Sequence, residues 1–505
     1  MNCLHPSGHT HVVPDGRNAT ISASIADAAA VKRAACRRPV AAALGALFMV
    51  SLSGNAGEPA FLPNMLPFPN PAGLAATVSS TGSVDLTGPF FQSLGTNGRA
   101  CVTCHQPSAG WTITPEHVQA RFAETGGTDA LFRTNDGSTS PVADVSTVEA
   151  RRAAYGMLLD KGLIRVGIGI PRDAEFELIA ADDPYRYASA AELSLFRRPL
   201  PATNLKFLTA VMWDGRETFA DPASRDCILG TPSCFASIHF DLADQANGAT
   251  VGHAQAAEVL STEDREAIVS FETSLFTAQI FDDAAGELNA RRARGGPRQL
   301  AEQPFYFGIN DVASGDYRTG APFDSHVFTL YGAWDTVHPP EHGGRAEARR
   351  AVARGERLFN SKPIRITKVK GLNDDLSVPV LDGTCTTCHD APNAGDHSIP
   401  APLDIGVADA SRRTPDLPLY TLRHKLPPFE IVRTTDPGRA LITGKWRDIG
   451  RFKGPILRGL ASRAPYFHNG SARDLGAVVD FYDERFAIGL SKDEKADLVA
   501  FLRTL

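Results

Sequence analysis

Four of the eight cysteines lie in two copies of one pentapeptide, Cys101-Val-Thr-Cys104-His105 and Cys385-Thr-Thr-Cys388-His389. C-x-x-C-H is the attachment sequence for c-type haem. Two thiols one helical turn apart can add to the two vinyl groups of one porphyrin, and the adjacent imidazole is then delivered to the iron as proximal ligand. Cys101, Cys104, Cys385 and Cys388 are therefore the expected covalent attachments of two haems, with His105 and His389 on the metals. A zinc ribbon would need four convergent ligands, and a redox Cys-x-x-Cys has no use for the trailing histidine.

The far side of each iron is less legible. An axial methionine marks an electron-transfer haem of raised potential. Beyond residue 56 methionine occurs only as Met65, Met157 and Met212, so the second haem has none in its own module. A protein-derived sixth ligand there must be His, Tyr or Lys, with His397, His424, His468 and Tyr482 as the candidates.

The elements that must position these groups read mainly as helices. Ser261 can cap a helix carrying Ile268, Phe271 and Leu275 on one face. Ser491-x-x-Glu494 forms a capping box ahead of Leu498, Leu502 and Leu505. Leu475, Val478, Val479 and Tyr482 follow i, i+3, i+4, i+7 spacing. Period-2 strands are scarce. The expected fold is mostly α: two cytochrome c-like haem domains with long loops and an N-terminal extended arm.

Residues 31–38 carry four positive charges, an apolar run follows over 40–52, and small residues lead to Ala56. That order is a secretory signal peptide, and the run is shorter than the roughly 20 residues a bilayer requires. The expected organisation is a signal peptide over 1–56, an extended Pro/Gly/Ser-rich arm over 57–84, an N-terminal haem domain with insertions over 85–345 and a C-terminal haem domain over 346–505. The mature protein is expected in the periplasm, with no membrane span. Cys227 and Cys234, which bracket a Gly/Pro loop, are expected to pair as a disulfide there.

The segments WDGRE (213–217) and LRGLASRAPYFHNGSARDLGAVVDFYD (457–483), with the paired C-x-x-C-H, resemble the bacterial di-haem cytochrome c peroxidase and MauG family. The resemblance covers roughly 85–280 and 346–505. It implies that the first haem keeps an open or openable face for peroxide chemistry, that the second takes in electrons, and that a tryptophan lies between them. Trp213 matches that tryptophan. Where the peroxidases carry a methionine ligand to the second iron, this chain has Tyr482, as MauG has tyrosine. His468 remains the alternative, because a histidine ligates in related di-haem oxygenases.

The family also places a Gln and a Glu on the distal side of the first haem. The Gln matches Gln245, whereas the Glu position falls near Gln255, two residues after His253. Breaking a peroxide bond needs a group that takes a proton from one oxygen and returns it to the other. Glutamine cannot do this and neutral histidine can, so His253 is the expected acid/base. His117 reads as a helix-start residue. The resemblance further implies a calcium ion held by backbone carbonyls, which would involve Arg463 and Pro465.

The expected function is an exported di-haem oxidoreductase reducing hydrogen peroxide at the first haem, with electrons relayed through the second haem and Trp213. A dioxygen-activating oxygenase, as in di-haem rubber oxygenases, and a non-enzymatic electron carrier are the alternatives. Removing residues 1–56 takes away five basic and two acidic side chains and leaves 46 basic against 55 acidic, a net charge of −9. This balance excludes a nucleic-acid binder. A small electron-donor protein or a protein substrate is the expected partner, alongside hydrogen peroxide or dioxygen.

Overall fold

Helix starts follow the capping residues. Ser261 accepts the Asp264 N–H and opens the Thr262–Ser274 helix. Ser491 accepts the Glu494 N–H while Glu494 accepts the Ser491 N–H, closing the expected capping box on Lys492–Leu502. Asp474 accepts the Ala477 N–H at the head of Leu475–Phe486. These bonds use N–H groups that a helix terminus leaves unpartnered.

The computed structural model describes residues 59–218, 238–335 and 343–505, and from Pro59 to Leu505 they form one unit. The expected signal peptide of 1–56 and the expected Cys227–Cys234 disulfide lie outside the described residues. No described helix is long and apolar enough to cross a membrane.

The fold is not mostly α. Helix makes up 31% and strand 18%, so the expectation of a helical protein is corrected to a mixed one. The arm region contributes strands. Pro67–Asn70 and Gly73–Ser79 join Leu275–Asp282 and Gly286–Glu287 in a four-stranded sheet. Gly73 sits at φ 143°, where a Cβ would lie 2.2 Å from the Phe281 carbonyl oxygen, so only glycine permits that pairing. Phe176–Asp182 pairs with Leu419–His424, which also pairs with Ile431–Thr434, so the two haem-motif halves share one sheet.

These strands escaped sequence reading for a physical reason. They are short, they pair across long stretches of chain, and some are buried on both faces: Leu193–Arg197 is buried at all positions and shows no alternation. Leu275, expected on a helix face, instead begins a strand, because the helix stops at Ser274.

The largest core cluster gathers Phe328, Phe359, Phe501, Tyr331 and Trp334 around the Gly344–Ser361 and Lys492–Leu502 helices. These helices cross closely at Gly355, where a Cβ would lie 2.0 Å from the Asp497 carbonyl oxygen. Phe359 lies 6.0 Å from the His389 ring, so this core supports the second motif directly.

Candidate haem sites

Both pentapeptides fold the same way. Cys101–Thr103 is a single tight turn: Thr103 Oγ1 accepts the Ala100 N–H, and the Cys104 and His105 N–H groups both reach the Cys101 carbonyl. Cys385–Thr387 repeats it, with Thr387 Oγ1 accepting the Thr384 N–H. His105 Nδ1 donates to the Trp111 carbonyl at 3.0 Å and His389 Nδ1 to the Gly395 carbonyl at 2.8 Å. In each imidazole the remaining lone pair is therefore on Nε2, the nitrogen a metal would take. Burial holds both rings down at about 4, so they stay neutral, as ligation requires.

Each motif lines its own cavity. The first encloses about 1610 Å³ and the second about 1820 Å³, open mouths included. Cys101, Cys104 and His105 face the first; Cys385, Cys388 and His389 face the second. All four thiols are unpaired, and burial pushes them up to about 11 for Cys104 and about 12 for the other three.

A buried cluster of cations tests whether a porphyrin fits. Arg198, Lys453 and Arg463 line both cavities and Arg458 lines the first. None of the four forms an ion pair among the described residues. Burial pulls Lys453 down to about 8, Arg198 to about 9, and Arg458 and Arg463 to about 10. Arg458 Nε and Nη2 and Arg463 Nε are enclosed with no hydrogen-bond partner. Lys453 has the buried Asp396 as a counter-charge, whereas Arg198, Arg458 and Arg463 face no carboxylate. Buried cations of this kind are costly, and the propionates of macrocycles held at the two motifs would supply the missing charge. Thiols, neutral imidazoles and cations together fit c-type haem.

Trp213 lies in the wall common to both cavities. Its indole N–H donates to the Arg198 carbonyl and its own carbonyl accepts the Lys453 N–H at 2.9 Å. The neighbouring Asp214 is fully enclosed and pairs with Arg197, which also grips Asp436 through two nitrogens.

Gln245, on the Ile238–Gly252 helix, and His253, just beyond it, both face the first cavity. Gln255 does not line it; its amide oxygen accepts a hydrogen bond from Asn97 Nδ2 on the surface. Three residues that sequence reasoning missed face the same cavity. Asp136 Oδ2 meets His253 Nδ1 at 2.5 Å, and Arg99 Nη1 meets Asp136 Oδ1 at 2.5 Å. Glu272 is buried with Oε2 unpartnered, and burial alone pushes its carboxyl up to about 8. Asp136 sits in an irregular loop and Glu272 on a helix face otherwise read as core, so nothing in their spacing marks them. His117 lines neither cavity; Thr114 and Ser108 hydroxyls hold its ring at a helix start.

Of the four sixth-ligand candidates for the second iron, His424 lies outside the cavity and bonds the Leu426 carbonyl. His397 lines the cavity but is paired with Asp390 at 3.2 Å. His468 also lines it, stacked on Phe452 at 4.0 Å and 6.2 Å from the Trp213 ring, and its Nε2 is enclosed with no hydrogen-bond partner. Tyr482 lines the cavity on the Leu475–Phe486 helix, and burial raises its phenol well above the usual value. No methionine lines this cavity. The Arg463 carbonyl, expected at a calcium ion, accepts from Arg198 Nη2 at 3.2 Å.

No protein-family model matches the chain. It is 33% identical over 140 residues to cytochrome-c peroxidase IdrP1 of Pseudomonas sp. (strain SCT), an overlap of 24% of this chain and 36% of that protein. It is 36% identical over 133 residues to cytochrome-c peroxidase IdrP2 of Denitromonas iodatirespirans, with the same coverage. The chain thus spans about a third of the length of the curated relatives it matches. A solved structure of a MauG-like protein associated with microbial copper homeostasis aligns over 83% of this chain and 85% of its own, at 17% identity and a TM-score of 0.33, too low to carry weight. Over those 140 and 133 residues the chain is similar in sequence to bacterial cytochrome-c peroxidases, which fits the resemblance carried by its paired C-x-x-C-H motifs.

Proposed function

We propose that this chain is an exported c-type oxidoreductase with two haems that reduces hydrogen peroxide at the first cavity, using electrons that enter at the second from a small donor protein. The observation that carries this reading is the position of Trp213, in the one wall shared by two cavities that each hold a C-x-x-C-H motif. A c-type haem in the first cavity would supply an iron able to bind the peroxide and exchange electrons with it.

The chain's own groups do the rest. His253 Nε2 takes a proton from the near oxygen of peroxide and returns it to the departing one. The Gln245 amide, on the same cavity wall, orients the substrate by hydrogen bonding. Trp213 is held in place by the Arg198 carbonyl between the electron-receiving and peroxide-reducing sites. At the second cavity Tyr482, which matches the tyrosine of MauG, is the sixth ligand in this reading, with His468 on the same cavity as the alternative. The signal-peptide pattern within residues 1–56 supports export to the periplasm.

The test is an optical and electron paramagnetic resonance spectrum of the ferric protein before and after one equivalent of peroxide. One high-spin signal, lost within the mixing time, is expected, and His253→Gln should slow that loss by about a hundredfold. Two low-spin irons that ignore peroxide would overturn the proposal in favour of a simple electron carrier.

A further inference from the structure

We propose that Asp136, locked by Arg99, is the positioning residue that makes His253 a working proton carrier at the first cavity; this rests on the function proposed above. Such a carrier must present one nitrogen to its substrate in a defined protonation state. The geometry supplies the means. Asp136 Oδ2 lies 2.5 Å from His253 Nδ1, so that nitrogen keeps its hydrogen and Nε2 is left with the lone pair. When Nε2 takes up a proton, the carboxylate already stands against the positive charge that forms on the ring.

The carboxylate itself is immobile. Arg99 Nη1 lies 2.5 Å from Asp136 Oδ1, while its Nη2 and Nε donate to the Leu131 and Ala130 carbonyls, tying the guanidinium to the loop that carries Asp136. Burial pushes the Asp136 carboxyl up, yet the bond from His253 and the charge of Arg99 outweigh it and hold the group below the usual carboxylate range. The backbone of His253 is clamped as well, because Asn97 Nδ2, Asn135 Nδ2 and Arg99 Nη1 all donate to its carbonyl. Asp136 and Arg99 are the charged groups in contact with His253, and the neutral His105 ring is a further titratable neighbour at this cavity. Hydrogen-bonded pairs with a buried partner of this kind orient imidazoles in many sites; here the partner comes from a loop more than a hundred residues away in the chain.

Fluoride is the probe. It enters as the acid, and its proton must be held by a nearby base that then donates back to the bound anion. Fluoride affinity of the ferric haem-loaded protein, read by optical titration, therefore reports proton holding at Nε2 without turnover. Asp136→Asn is expected to weaken fluoride binding about tenfold, Asp136→Glu to recover most of it, and His253→Gln to weaken it at least as much. The pair Asp136→Asn with His253→Gln should be no weaker than His253→Gln alone. Because Asp136→Asn leaves Arg99 buried and unpaired, the doubly neutral Asp136→Asn, Arg99→Met protein carries the same test if the single variant does not fold. If His253→Gln lowers affinity and neither Asp136 variant does, this inference is wrong and the proposed role of His253 stands. If His253→Gln leaves affinity unchanged, both are wrong.

Discussion

The indole of Trp213 hangs from the carbonyl oxygen of Arg198 by a 2.7 Å hydrogen bond, and both residues line both cavities. One aromatic ring is thereby fixed in the partition between the two motifs. Trp213→Leu should leave both optical spectra in place and slow the equilibration of electrons between the two sites by at least about tenfold. Stopped-flow mixing of the half-reduced protein with peroxide measures this, and an unchanged rate would remove Trp213 from the path.

The second-site ligand separates two variants. Tyr482→Phe should change the low-spin ferric signal, while His468→Gln should leave its ligand-field pattern alone. The reverse result would assign the iron to His468, whose enclosed Nε2 has no hydrogen-bond partner.

Buried cations tune potential by favouring the reduced iron. Arg458 lines the first cavity alone, whereas Lys453 lines both. Arg458→Met should lower the midpoint of the first site more than the second, and Lys453→Met should lower both, each by the order of 1 kcal/mol. Spectroelectrochemical titration distinguishes the two patterns.

Glu272 makes stability depend on pH. Burial holds its carboxyl at about 8 against an ordinary value of 4.5. Between those values the folded protein keeps a proton that the unfolded chain releases, so stability is highest below the lower value and falls as pH rises toward 8. The slope is about 1.4 kcal/mol per pH unit. Glu272→Gln should remove that component and raise the melting temperature at pH 8 relative to wild type.

Arg197 holds two buried carboxylates, Asp214 and Asp436, from the two halves of the chain. Arg197→Met leaves both charges enclosed and should cost about 3–5 kcal/mol in urea unfolding. Neutralising all three positions together should recover most of that loss.

The haem motifs, the missing methionines and the capped helices were legible because they are local: the chemistry of C-x-x-C-H lies within five consecutive residues, and a capping box within four. Strands were not, since Phe176–Asp182 finds its partner at Leu419–His424 and Leu193–Arg197 is apolar on both faces. The distal side was half legible. Gln245 and His253 came from the family resemblance, and both face the first cavity, whereas Asp136 and Arg99 reach His253 only through the folded loop.

By itself the sequence determined which atoms can bind iron and where the helices begin, because both depend on neighbours along the chain. Tertiary structure alone decided that two cavities share one wall, that Trp213 and buried cations occupy it, and that a remote aspartate meets His253. Those relationships come from long-range packing and from the cost of burying charge, which no short stretch of residues encodes.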